Sequence, residues 1–330
     1  MPHLRGHGGT LLKFVVALGA ALAFAPCATA QSYPAKAIQM IVPLQAASAA
    51  DITLRIVAQK MSENMGQQIA IDNQPGAAGL IGAERVARAT PDGYTLGGFA
   101  DSVLTFVPNL YQKVGYDPLT SFEPVSMVAA VVWVMSVHPS VPARSIREFV
   151  AFAKAHPGKL DYSSGGNGSP QHVATELFKA ATGISLTHIP YRGATQASLD
   201  VVSGRIPVTL GALSIMLPYI KQGRLRALAV LSERRSALLP DVPTGLEPGA
   251  PGFTFSTWIA IYAPQATPRP VIERLNAETV KALNDAAVRE RLLALGLEPG
   301  SSTPEQLAAE TRNGLVKMAK IIKDAGIRAE

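Results

Sequence analysis

Ile38-Gln39-Met40-Ile41-Val42, Ile52 to Met65, Gln68 to Asp72, Ile81 to Ala89 and Tyr94 to Phe99 succeed one another along the chain, and this run decides the fold class. The first, third and fifth segments are short apolar strands. Pro43 ends the first, and Asn73-Gln74-Pro75-Gly76 turns the chain after the third. The second carries Ile52, Ile56, Val57 and Met61 at helical spacing and stops at Gly66. Pro91-Asp92-Gly93 closes the fourth, a second helix. Strand-helix-strand-helix-strand order predicts a parallel sheet, because parallel neighbours need a long return connection that a helix supplies. The expected class is α/β.

A second set starts after Met127 to Val137, an apolar β-branched stretch that reads as a buried strand stopped by His138-Pro139. Ser145 and Glu148 form a capping box before the helix Ile146 to Ala155. Strands are expected at Leu160 to Ser163, Leu186 to Ile189, Pro207 to Leu210 and Arg226 to Leu231, with helices at Gln171 to Thr182 and Thr195 to Ser203. After the strand-like Phe253 to Tyr262 come helices alone, the last opened by a Thr303/Gln306 capping box with Pro304 at its first position. Helices without strands of their own must pack on an existing sheet. The expected organisation is therefore residues 31–131 and 253–330 in one lobe and 132–252 in the other. Two chain crossings, near Val131 to Val137 and Gly252 to Thr257, would act as a hinge.

Residues 1–30 are not read as fold. Arg5 and Lys13, the apolar run Phe14 to Phe24 and the small-x-small site Ala28-Thr29-Ala30 have the layout of a secretory signal peptide. Export to the periplasm is expected, leaving Gln31 to Glu330. The single cysteine, Cys27, lies in the removed segment, and Phe24-Ala25-Pro26 before it suits lipid attachment poorly. The mature chain thus has no disulfide, Cys–metal site or Cys nucleophile, and no other segment is apolar for long enough to span a bilayer. Losing Arg5 and Lys13 lowers the formal charge of +6 by two. The surplus is scattered, and Arg234-Arg235 has no interleaved aromatics, so a nucleic-acid surface is not expected.

Two loops share one construction. Pro43-Leu44-Gln45-Ala46-Ala47-Ser48-Ala49-Ala50 and Ser164-Gly165-Gly166-Asn167-Gly168-Ser169-Pro170 each run from a strand's carboxyl end to a helix start. Small side chains bare the backbone, and a helix's first turn has unpaired N–H donors and the positive dipole end, a ready site for carboxylate, phosphate or sulfate. Taken singly, either loop is an ordinary capped turn; taken together, one per lobe, they suggest a ligand clamp. Asp51 is either a first-turn acid or a second pole for an amino or hydroxyl group. Asp101-Ser102, just past the third strand, is either a turn or a crevice contact, and His172 is a structural donor before it is a base.

Catalytic motifs are absent. There is no G-x-S-x-G, H-E-x-x-H, Walker A or G-x-G-x-x-G, and His138, His156, His172 and His188 make no i, i+4 pair. No enzyme, metal or cofactor is expected. A serine hydrolase assembled from distant residues is the competing enzymatic reading.

Over nearly all the mature chain the sequence resembles the Bug family of periplasmic solute receptors that serve tripartite tricarboxylate transporters. The resemblance rests on Tyr33-Pro34-Ala35-Lys36-Ala37-Ile38, Ile41-Val42-Pro43, Asp72-Asn73-Gln74-Pro75-Gly76-Ala77-Ala78-Gly79 and Pro91-Asp92-Gly93-Tyr94-Thr95-Leu96. Tyr162-Ser163-Ser164, Gly166-Asn167-Gly168-Ser169, His172, His188-Ile189-Pro190-Tyr191-Arg192-Gly193 and Asp200 extend it. It implies a type II periplasmic binding fold, two α/β lobes closing on a carboxylate held by amides, hydroxyls and waters. Carried over, the contacts are Pro43, Leu44, Ala46, Ala47, Ser48, Ala49 and Asp51, then Ser164, Gly166, Gly168 and Ser169, with Gly193 and Ala194 beyond.

Two features depart from the family pattern. Leu44 replaces a usual Phe, and Gln45-Ala46-Ala47-Ser48 replaces a Pro-Gly-Gly, so added Cβ atoms restrict a loop that glycine would leave free. Pro207 also stands where an Asp is common. A monomeric receptor for a di- or tricarboxylate, acidic amino acid or aromatic acid is expected, partnered by a membrane permease or, alternatively, a sensor.

Overall fold

The computed structural model describes residues 33–248 and 251–328, so the signal-peptide assignment lies outside the described residues. The chain divides into Met1–Ala35, of which only residues 33–35 are described, and Lys36–Glu330.

In Lys36–Glu330 the strands are β1 (Ile38–Val42), β2 (Ile69–Asn73), β3 (Thr95–Ala100), β4 (Phe122–Val137), β5 (Asp161–Ser164), β6 (Thr187–Pro190), β7 (Val208–Ala212), β8 (Arg226–Val230), β9 (Ser256–Pro264) and β10 (Leu297–Pro299). The helices are α1 (Ala49–Met65), α2 (Leu80–Ala87), α3 (Asp101–Thr105), α4 (Val107–Leu110), α5 (Ile146–Ala155), α6 (Pro170–Thr182), α7 (Ala194–Val202), α8 (Leu213–Lys221), α9 (Arg269–Asn284), α10 (Ala286–Leu293) and α11 (Pro304–Asp324).

The strands lie in the order β2-β1-β3-β9-β4-β7-β5-β6, with β8 and β10 also paired to β4. The two ends of this sheet have the same build. β1 runs parallel to both β2 and β3, and β5 runs parallel to both β6 and β7. In each triplet the first strand in sequence is the middle one in space. The chain leaves it to one side and returns on the other, which opens a crevice beyond its carboxyl end. The loops after β1 and β5 start there.

Between the triplets, β4 is longer than the expected Met127 to Val137. It starts at Phe122 and runs for 16 residues. Phe122 to Val132 pair antiparallel with β9, and Trp133 to Val137 pair antiparallel with β7. β10 has no strand signal of its own; only the antiparallel pairing of Leu297–Pro299 with Ala129–Val131 makes it a strand.

Two apolar clusters support this frame. Phe99, Phe122 and Tyr262 meet in the first, with Phe99 edge-on to Phe122 at 5.1 Å and stacked on Tyr262 at 5.7 Å. Val201, Leu213, Met216 and Leu217 lie in the second. Of the C-terminal helices, α9 lies against α1 and β4, and α11 against α3 and β4. Tyr262 Oη and Thr311 Oγ1 share a hydrogen bond of 2.6 Å. The Thr303/Gln306 box at the start of α11 is complete. At α5, Ser145 accepts from the Glu148 amide, but Glu148 accepts from the Arg144 amide at 2.7 Å and not from that of Ser145.

Candidate functional site

A cavity of about 610 Å³ opens where the loops after β1 and β5 face each other. That size suits a small organic molecule. Pro43, Leu44, Ser48, Ala49, Gly166, Ser169, Gly193 and Ala194 of the expected contacts line it, together with Gln45, Asn167 and Gln171.

Both loops are fastened in the same way. Ser48 caps α1, its hydroxyl oxygen accepting from the Asp51 amide at 3.3 Å, while the Ala47 amide donates to Asp51 Oδ2 at 2.8 Å. Ser169 caps α6, accepting from the His172 amide at 3.4 Å, while the Gly168 amide donates to His172 Nδ1 at 3.2 Å. In each case the third residue of the helix reaches back to hold the residue before the cap, which locks the loop against the helix start. Each serine hydroxyl keeps its own proton to donate elsewhere.

These bonds set the roles of Asp51 and His172. The Asp51 carboxylate also accepts from Arg55 Nε and Asn73 Nδ2, both at 2.9 Å. Burial alone would raise its pKa, but the hydrogen bonds from Arg55, Asn73 and Ala47 outweigh that and hold it below the ordinary value. Asp51 is a buried anchor, outside the cavity lining. Ala46 and Ala47 are exposed, and Ser164 and Gly168 are buried behind the lining residues. Ala47 answers the question raised by the missing glycines: its φ is 59°, so the loop keeps a left-handed residue despite the Cβ. Gly166 and Gly168 take left-handed φ of 112° and 79°, where a side chain would be strained.

Asp101 and Ser102 lie elsewhere than the crevice. Ala100 reaches the cavity, but the chain then turns into α3 and buries both. Burial, with a contribution from Glu310 of α11, pushes the Asp101 pKa well above its ordinary value.

Four helices of nine or more residues begin at the cavity: α1 through Ala49 and Ala50, α6 through Pro170 and Gln171, α7 through Ala194, and α8 through Ala212 and Ile215. Their first turns carry N–H groups without intrahelical acceptors and the positive ends of their dipoles. Among the described residues, no acidic side chain lines the cavity, and Arg192 is the one charged lining residue. This lining favours an anion over a cation.

The two sides also touch. Tyr111 Oη donates to the Asn167 carbonyl at 2.9 Å, and Thr195 Oγ1 to that of Ala46 at 3.4 Å. The Gln45 amide lies so close over Gly193 that a Cβ there would stand 2.0 Å from Gln45 Oε1.

Several lining residues are not marked as contacts by the sequence: Pro75 to Gly79, Tyr111, Trp133, Tyr191, Ile215, Thr257 and Ile259. Pro75 to Gly79 carried a signal, being part of one of the quoted family segments. So did Tyr191, in another quoted segment; Tyr111 follows the short helix α4, and Trp133, Thr257, Ile259 and Ile215 come from strands and a helix that local pattern does not mark as contacts.

Behind the second loop, His188 stacks between His172 (4.3 Å) and Tyr162 (4.8 Å) and shares a 2.6 Å hydrogen bond with Ser164 Oγ. Burial and then the neighbouring His172 push its pKa down to about 4. A histidine in the unfolded chain titrates near 6.5, so between these values the unfolded state takes up a proton that the fold refuses. Stability should therefore fall as pH drops from about 6.5 to about 4, by roughly 1–2 kcal/mol after allowing for the ring's partial exposure. Melting temperature against pH, compared with His188→Gln, checks this; the same slope in both proteins would refute it.

The fold is that of the periplasmic binding protein BugD, with which it aligns at a TM-score of 0.86 and 32% identity over 90% of this chain and 100% of that one. The chain belongs to the tripartite tricarboxylate transporter receptor family, whose sequence model matches residues 53–327. It is 35% identical over 301 residues to Protein BugT of Bordetella pertussis, covering 91% of this chain and 92% of that one. Rpa4515 of R. palustris, solved with adipate, aligns with a TM-score of 0.87 at 32% identity, over 90% of this chain and 99% of the other. MatC of Rhodopseudomonas palustris, solved with bound malate, aligns with a TM-score of 0.83 at 27% identity, over 88% and 100%. Among the described residues, no helix is long and apolar enough to cross a membrane, and no three His, Cys, Asp or Glu side chains are grouped to hold a metal ion.

Proposed function

We propose that this protein is an exported, non-enzymatic receptor that captures a small carboxylate in the cavity and delivers it to a membrane permease of a tripartite transporter. The observation that carries this reading is the convergence of four helix starts on a cavity that no described acidic side chain lines. Amide donors and dipole ends favour an anion there without a dedicated cation. Adipate and malate in the related structures support a carboxylate in particular, and the layout of residues 1–30 supports export.

In this proposal residues 36–131 and 253–330 form one lobe and 132–252 the other. Support comes from β4, which exchanges β9 for β7 as partner between Val132 and Trp133. A hinge at this point and at the start of β9 lets the loops part and meet. Calorimetric titration with adipate, malate, citrate, glutamate and benzoate should give saturable binding for at least one, with a smaller radius of gyration in the bound state. No heat from any of the five would refute capture of a carboxylate, and binding without contraction would refute the hinge.

A further inference from the structure

We infer that the preferred ligand is an acid with one carboxylate and an apolar, ring-sized body, rather than a dicarboxylate. The inference rests on the capture reading above and concerns what the remainder of the cavity can accept.

The cavity floor is built by the sheet and one helix: Ala100 ends β3, Trp133 lies in β4, Ala212 ends β7, Ile259 lies in β9, and Ile215 comes from α8. None of these side chains offers a charge or a free polar atom. The indole of Trp133 has one donor, and Nε1–H spends it on Thr257 Oγ1 at 2.9 Å. Thr257, the polar residue beside it, accepts this bond and keeps its hydroxyl proton as the one side-chain donor of the floor. Phe255 stands edge-on to the same indole, with centroids 5.2 Å apart and planes 84° apart, which fixes the ring in place. What Trp133 offers a ligand is a rigid aromatic surface.

Polar side chains are thus mostly on one side of the cavity. The starts of α1, α6 and α7 and the cap hydroxyls of Ser48 and Ser169 lie there and favour one anionic group, whereas the floor has the Thr257 hydroxyl and the first turn of α8. A second carboxylate laid on the floor would lose its water against indole, isoleucine and alanine, with one hydroxyl and one helix start to pair it, a poorer exchange than the loop side offers. Arg192, the one lining cation among the described residues, belongs to the loop side and is exposed. A ring or branched alkyl body has the opposite balance: it gains from leaving water and stacks or packs on Trp133.

The chain has two tryptophans, and Trp258 is buried in the first apolar cluster, so emission can report on the floor. Purified protein is titrated with benzoate, cyclohexanecarboxylate, adipate and malate by calorimetry and by tryptophan fluorescence. The ring acids are expected to bind at least about tenfold more tightly than adipate or malate, and benzoate to change the emission. That change should vanish in Trp133→Phe while calorimetric binding persists. Because Trp133 is buried, Ile215→Lys provides a second test, and a cation on the floor should shift the benzoate-to-adipate ratio about tenfold towards adipate. Adipate or malate binding as tightly as the ring acids would overturn the inference and leave carboxylate capture standing. An emission change retained in Trp133→Phe, or an unmoved ratio in Ile215→Lys, would overturn it too. Silence with all four acids would remove the capture reading itself.

Discussion

Ala49→Trp and Ala194→Trp, one on each side of the cavity, should each weaken ligand binding by about 100-fold or more, which is close to 3 kcal/mol, while the melting temperature stays within a few degrees. Ala49 opens α1 and Ala194 opens α7, so each side chain stands among the first-turn amides and borders the cavity. An indole there displaces the ligand from those amides and props the loops apart. Stability should hold because both residues are only partly buried and helix first turns tolerate many side chains. Calorimetric titration beside a thermal melt separates the effects. Undiminished binding in both variants would place the ligand elsewhere on the molecule.

Asp51→Ala should cost about 2–4 kcal/mol of stability, the range for breaking hydrogen bonds to a buried charged group. Removing the carboxylate strands three donors: the Ala47 amide, Asn73 Nδ2 and Arg55 Nε. It also releases Ala47 from the bond that holds its left-handed backbone, so the first loop loosens and binding weakens as well. Because the folded pKa of Asp51 lies below the ordinary value, its contribution is present at neutral pH and lost as pH falls through the acidic range. Denaturant melts at pH 7 and pH 3 should show a larger difference between variant and parent at the first than at the second. Equal stability at pH 7 would mean that the carboxylate does not hold the loop.

These variants also mark how far local pattern reaches. Short apolar runs alternating with 3.6-residue periodicity are sufficient to order β1 to β3 and β5 to β7 with their helices, because each segment's buried face is written in its own residues. The small residues at 44–50 and 164–170 declare that backbone must approach something closely. Ser48 and Ser169 announce the helix starts. For Asp51 and His172, local pattern allows both a ligand role and a structural one. Contact geometry chooses the structural role, since each side chain is consumed by the amide before the cap. For Asp101 local pattern likewise allows a turn or a crevice contact, because adjacency to a strand end does not say which way the next turn buries a side chain.

The sequence by itself determined the α/β class, the paired loop-to-helix starts and the anion-favouring chemistry of a bared first turn, all of which depend on residues a few positions apart. The tertiary structure alone decided the cavity floor, where Trp133, Ile215 and Ile259 meet from segments far apart in the chain. It also decided the left-handed Ala47 and the loop contact of Gln45 with Gly193. The physical reason is that periodicity records which face of an element leaves water, whereas what that face meets depends on strand order and register, which are settled only when the whole sheet assembles.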